Sequence, residues 1–198
     1  MPAANTDGTC EQPLLASGPP NLGMKPGRVS PHLEIVEGYR PGAIGRIAEM
    51  HGKYYAREWD FGVFFEAKVA RECAEFFERM DSAFDRAWLV LAGTRIMGSL
   101  IVDGSDRPGG DAHLRWFVLD DGLRGLGVGA ELMRRAAEFC DARGVGCYLT
   151  TFAGLDAARA LYERFGFDLA EESAAETWGR TVSEQLFTRP AGQLTGSI

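Results

Sequence analysis

The sequence predicts a mixed α/β domain of the α+β kind, a mostly antiparallel central sheet flanked by helices, over residues 32–190. Three observations predict it. Strand-like and helix-like runs alternate from His32 onward. Two pairs of strands are joined by short turns, as antiparallel hairpins are. One pair of strands is separated by a helix long enough for a parallel crossover. With 198 residues, 45% of them apolar, the chain can bury one sizeable core. Residues 1–31, rich in Pro, Gly, Ser and Asn and without periodicity, read as a loosely structured arm, and residues 191–198 as a tail.

The elements follow in order. "HLEIVEGY" is a short first strand, and Pro41 opens a helix that runs to about Arg57. In the second helix Val63, Phe64, Ala67, Ala70, Cys73, Ala74, Phe77 and Met80 keep helical spacing and are expected to form its buried stripe. "AWLVLAG" and "RIMGSLIVDGS" are strands of a hairpin that turns at Gly93-Thr94. "AHLRWFVL" is the next strand, followed by a glycine turn and an amphipathic helix, then the strand "GCYLTTF" and the helix "LDAARALYERFG". A last hairpin spans roughly Phe167 to Arg189.

The charge balance is acidic, 28 Asp plus Glu against 21 Lys plus Arg, which argues against nucleic acid as a partner and would suit a cationic ligand. Cys10, Cys73, Cys140 and Cys147 show neither CxxC spacing nor a metal-ligand grouping, so reduced thiols in a cytoplasmic protein are expected, with no metal. No run is apolar enough to suggest a signal peptide or a membrane span.

The chemistry is concentrated in "LDDGLRGLGVGAELMRRAAEFCDARG", Leu119 to Gly144, where glycines at alternate positions stand between a strand and a helix. Glycine lets a backbone approach a ligand closely, and a helix N-terminus offers unpaired N–H groups to an anion, so a phosphate is the natural occupant. Gly125-Leu126-Gly127-Val128-Gly129-Ala130 also fits the dinucleotide-binding turn G-x-G-x-x-A. That turn requires an acid about 20 residues on, at the end of the next strand, and here the strand ends "LTTF". A turn serving only close packing is the remaining alternative.

"RGLGVG", Arg124 to Gly129, resembles the R/Q-x-x-G-x-G/A signature of the GNAT superfamily of acetyl-CoA-dependent N-acyltransferases, and "ARALYERFGF", Ala158 to Phe167, looks like its A-x-x-x-Y-x-x-x-G-F segment. The resemblance covers roughly Leu33 to Arg189. It implies a sheet with splayed middle strands and acetyl-CoA as co-substrate. The pyrophosphate would lie on the N–H groups of Leu126 to Ala130, with Arg124 adding charge-assisted bonds and Ala158 near the cofactor. The pantetheine would pair with the backbone of Phe117, Val118 and Leu119 like an added strand. Tyr162 matches the tyrosine that protonates the leaving sulfur, the other reading being a packing aromatic. Leu155 stands where the superfamily often has Asn.

No single general base is forced. His113 is a candidate, because the unperturbed pKa of histidine lies near neutrality, though a strand histidine on a solvent face would look the same. Glu58 and Asp60 could hold or relay a proton, or be solvated charges. "HGKYYAREWDFGVFFEAKVA", His51 to Ala70, also looks like the H-G-x-x-Y-x-x-E segment of acetyltransferase modules attached to MarR-type regulators. His51, Tyr55, Glu58 and Trp59 lie three or four apart on one helix and are expected to border the acceptor pocket, with Glu58 suited to a cationic amine. The reaction implied is acetyl transfer to the amine of a small molecule, a protein amine being second. Neither nucleic acid nor membrane is expected as a partner, and a homodimer is left open. A non-catalytic acyl-CoA-binding or sensing module is the alternative.

Overall fold

The computed structural model describes residues 32–104 and 110–192, so the N-terminal arm, Cys10 and the end of the C-terminal tail lie outside the described residues. The elements run β1 (Leu33–Glu37), α1 (Ala43–Trp59), α2 (Val63–Arg79), β2 (Arg86–Ala92), β3 (Arg95–Asp103), β4 (Ala112–Leu119), α3 (Val128–Asp141), β5 (Cys147–Phe152), α4 (Asp156–Arg164), β6 (Asp168–Ala175) and β7 (Val182–Arg189). A single 3₁₀ turn, Asp121–Leu123, precedes α3. The strands form one seven-stranded sheet in the order β1-β2-β3-β4-β5-β7-β6. All neighbours are antiparallel except β4 and β5, which α3 connects as the sequence predicts. Among the described residues no helix is long and apolar enough to cross a membrane.

Alternation along the strands divides the core in two. Trp88, Val90, Leu100, Val102 and Leu114 meet Leu132, Met133 and Ala136 of α3, Tyr162 of α4 and Phe165, the residue that caps α4. Leu89, Ile101, Trp116 and Phe152, on the other face, meet Ile47 of α1 and Phe65, Val69, Cys73 and Phe76 of α2. The buried stripe of α2 is therefore the predicted one only in part: Cys73 is buried, and Ala70, Phe77 and Met80 are half-buried against the core. Val63 and Phe64 are exposed, at 84% and 56%, while Phe65, Val69, Cys73 and Phe76 are buried. The helix carries apolar residues on two overlapping stripes, and the one facing the sheet wins. Phe64 instead packs on the β6–β7 turn at Gly179.

Two irregularities open the middle of the sheet. β4 pairs with β5 only at Ala112–Cys147 and His113–Tyr148, so beyond His113 the two strands separate. β4 also bulges against β3, where the register shifts between Ser99 and Ile101. Trp116 sits at the bulge with φ 48, a left-handed conformation that a bulky residue rarely adopts. Ser99 Oγ donates to Trp116 O at 2.7 Å and holds the bulge. As a result Arg115 and Trp116 turn to one face, the guanidinium 4.2 Å from the indole centroid.

Candidate active site

The separation of β4 from β5 creates two adjoining cavities. The larger, about 810 Å³, runs from the end of β4 along the glycine turn to the start of α4. The smaller, about 240 Å³, lies within the splay, walled by α1, α2, β4, β5 and the β6–β7 turn. Tyr55, Phe117 and Tyr162 line both, so these three side chains stand at the junction.

The wall of the larger groove is set by the turn. Gly125 and Gly127 have φ 74 and 77, and Gly127 is the N-cap of α3 without a side-chain cap. Glu131 N–H makes the first intrahelical bond, to Gly127 O at 3.0 Å, which leaves the N–H groups of Val128, Gly129 and Ala130 as helix-end donors. Phe117, Val118, Leu119, Arg124, Gly125, Gly127, Gly129, Ala130 and Ala158 all line the groove, as does Leu155 at the uncapped start of α4. One predicted residue is placed differently. Leu126 is 62% exposed and its N–H donates to Leu123 O at 3.4 Å, so it is turned from the groove. Val128 keeps its N–H among the helix-end donors while its side chain packs against the core. The cause is local: a left-handed Gly127 reverses the chain between the two. Arg124 Nη2 lies 2.7 Å from Asp121 Oδ1, and its guanidinium covers the ring of Tyr54 at 5.5 Å.

The four residues predicted to wall one acceptor pocket are divided between the cavities. His51 and Tyr55 line the smaller one, Tyr55, Glu58 and Trp59 the larger. They share one side of α1, with His51 and Tyr55 stacked at 6.1 Å, but the helix crosses the junction, so its last turn reaches past the smaller cavity. Glu58 Oε1 accepts from Arg57 Nε at 2.6 Å on the exposed rim. Trp59 lies against Gly154, where a Cβ would come within 2.5 Å of the indole. Asp60 caps α1 with φ 54 and binds Arg180 Nη1 at 2.8 Å, which ties the β6–β7 turn to the end of the helix.

Burial decides the protonation of these groups. Tyr162 is buried and Tyr55 half-buried, and desolvation pushes both phenols above the ordinary range, so both are protonated at neutral pH. Tyr162 also contacts Phe167 and Phe187, with centroids at 6.2 and 5.9 Å. His51 is lowered to about 4 by desolvation, only partly offset by Ile47 O, which lies 2.9 Å from Nδ1. His113 lines the smaller cavity with its ring stacked on Tyr148 at 4.4 Å.

The shift at His51 makes a testable link to stability. Its folded pKa, about 4, lies below the unfolded 6.5, so the unfolded chain binds the proton first. The stability of the neutral buried imidazole is complete above pH 6.5 and is lost as pH falls toward 4. Denaturant unfolding at pH 7 and pH 4 is expected to differ by about 3 kcal/mol more in the wild-type protein than in His51→Gln. Equal differences would show that His51 is not buried in neutral form.

Sequence reasoning missed the polar lining of the smaller cavity, Lys68 and Glu72 on α2, Arg115 on β4, and Thr177 and Trp178 on the β6–β7 turn. The i, i+4 spacing of Lys68 and Glu72 is a signal from which their pairing could have been read, but it points neither to their partner Arg115 nor to the cavity beside it.

Residues 47–167 match the Acetyltransferase (GNAT) family. No curated protein matches the chain significantly. Among solved structures, an acetyltransferase of the GNAT family from Staphylococcus aureus is 17% identical, with a TM-score of 0.60 over 81% of this chain and 99% of that one. The ribosomal-protein-S18-alanine N-acetyltransferase of Escherichia coli is 18% identical, with 0.57 over 83% and 99%. A spermidine N-acetyltransferase chimera of Vibrio cholerae and human sequence is 15% identical, with 0.59 over 80% and 95%. At these identities the likeness is one of fold.

Proposed function

We propose, from the premise that the chain belongs to the acetyltransferase (GNAT) family, that it transfers the acetyl group of acetyl-CoA to the primary amine of a small molecule. The observation that carries this reading is the junction of two cavities at Tyr162. The larger groove has the features a coenzyme A needs. Helix-end N–H groups and Arg124 would hold a pyrophosphate, and the β4 edge beyond His113, without a β5 partner, can pair with the amides of pantetheine. The smaller cavity gives the acceptor a place beside the thioester, a space that a module binding only the cofactor would not need.

The neutral amine attacks the thioester carbonyl. A C–N bond forms, the carbonyl oxygen takes the negative charge, and the amine loses a proton to a base, the role we assign to His113 or to a water it binds. The C–S bond then breaks and Tyr162 gives its proton to the sulfur. Burial raises the phenol pKa, but a thiolate leaving into the same dry space becomes more basic for the same reason, so the transfer stays matched. Coenzyme A and an acetamide leave, and the proton held by the base returns to Tyr162. The same reading places the protein in the cytoplasm with reduced thiols; Cys73, Cys140 and Cys147 are free and buried.

A panel of small amines with acetyl-CoA, read by release of free thiol, tests the proposal. At least one amine is expected to give thiol stoichiometric with its acetylated product. Stabilisation by acetyl-CoA with no thiol release from any amine would favour the binding or sensing module.

A further inference from the structure

The smaller cavity has two ends of different chemistry. One is aromatic: Tyr55 and Phe65 meet at 4.9 Å, and Trp178 closes over Phe65 and Phe152 at 5.9 and 6.3 Å. The turn carrying Trp178 is fixed, because Arg180 Nη1 bonds Trp59 O, Asp60 O and Asp60 Oδ2 at 3.1, 3.1 and 2.8 Å. The other end is charged, built from Lys68, Glu72 and Arg115.

Both oxygens of Glu72 are engaged. Oε1 accepts from Lys68 Nζ, and Oε2 from Arg115 Nη2 at 2.6 Å. Asp103 also takes a bond from Arg115 Nη1, at 3.3 Å, but it is fully buried, is bound by Arg79 Nη2 at 2.5 Å, and does not line the cavity. Among the described residues Lys68, Glu72 and Arg115 are therefore the charged side chains of this wall. The Lys68 ammonium has three donors, and Glu72 is its hydrogen-bond partner among the described residues. Its side chain is 22% exposed, so it retains donors for a ligand.

We infer that the acceptor is an amine that also carries a carboxylate, the carboxylate bound by Lys68 and the apolar part of the molecule held against Tyr55, Phe65 and Trp178. This deepens the acetyl-transfer reading and rests on it. The Lys68 ammonium repels a second cation and so selects against polyamines. It also favours the uncharged form of the attacking nitrogen, since a positive charge nearby lowers the pKa of an ammonium. The expectation from Glu58 of a cationic acceptor is thereby replaced, because Glu58 lies on the larger groove and is tied to Arg57.

Matched acceptors test the inference. Leucine and 3-methylbutylamine, and phenylalanine and 2-phenylethylamine, differ within each pair by the carboxylate. In thiol release the amino acid of at least one pair is expected to exceed its amine at least ten-fold in kcat/KM, mainly through KM. Lys68→Met should bring that ratio near one, and Lys68→Arg should restore it; a ratio within one variant is insensitive to partial loss of folded protein. Amines equal to or better than their amino acids, or an unchanged ratio in Lys68→Met, would overturn the inference while leaving acetyl transfer standing. If no acceptor releases thiol, acetyl transfer fails, and the same pairs are titrated against the coenzyme A-saturated protein. Thermal stabilisation by the amino acids alone supports the carboxylate site, and stabilisation by the amines or by neither overturns it.

Discussion

Gly127→Asp is expected to remove the thermal stabilisation that acetyl-CoA confers, weakening its binding by about 10³-fold through loss of the anion site. The wild-type protein at 100 times Kd should gain about 2.7 kcal/mol by mass action, and the variant at the same concentration almost none. The geometry makes this a clean substitution. No atom lies within 4 Å of a Cβ built at Gly127, so nothing clashes, and the φ of 77 costs about 1 kcal/mol because aspartate tolerates the left-handed region better than most residues. What changes is that a carboxylate stands at the N-terminus of α3, where a pyrophosphate would lie. Differential scanning with and without acetyl-CoA reads the effect. A variant that folds and keeps the full shift would place the cofactor elsewhere.

Tyr162→Phe is expected to lower kcat by about 10²- to 10³-fold with little change in acetyl-CoA affinity, the range for loss of a general acid. The ring stays among Phe117, Phe167 and Phe187 and only the hydroxyl is lost. The thiol is a better leaving group than an amine, which keeps the loss from the upper extreme. Thiol release under saturating substrates measures kcat, and a thermal shift measures the cofactor. Undiminished turnover would return Tyr162 to a packing role and give the proton to water.

The legible parts of this protein were those whose signal is local. The glycines between Arg124 and Ala130 announce a left-handed turn before a helix because few residues other than glycine adopt φ near +75, and the structure has Gly125 and Gly127 there. The Gly93-Thr94 hairpin and the single crossover through α3 were set by turn residues and by segment lengths. The position of Tyr162 one turn after Ala158 put both on the face of α4 that meets the groove.

Tertiary structure decided what depends on which neighbour arrives. Along α2 the sequence offers two overlapping apolar stripes that share Cys73, and contact with Leu89, Ile101 and Trp116 buries Phe65, Val69 and Phe76 while Val63, Phe64 and Ala67 stay exposed. The insertion of β7 between β5 and β6 has no marker in either strand. The bulge at Trp116 runs against the residue's own preference and is held by packing and by the Ser99 hydroxyl. The charged wall joins Lys68 and Glu72 to Arg115, 43 residues beyond Glu72, an encounter that only the folded sheet produces. Sequence alone determined the left-handed glycine turn, the helix that follows it and the place of Tyr162 on α4, since backbone sterics and helical spacing act within a few residues. The smaller cavity was decided in three dimensions, because its charges and rings come from six elements whose side chains meet after the sheet has splayed.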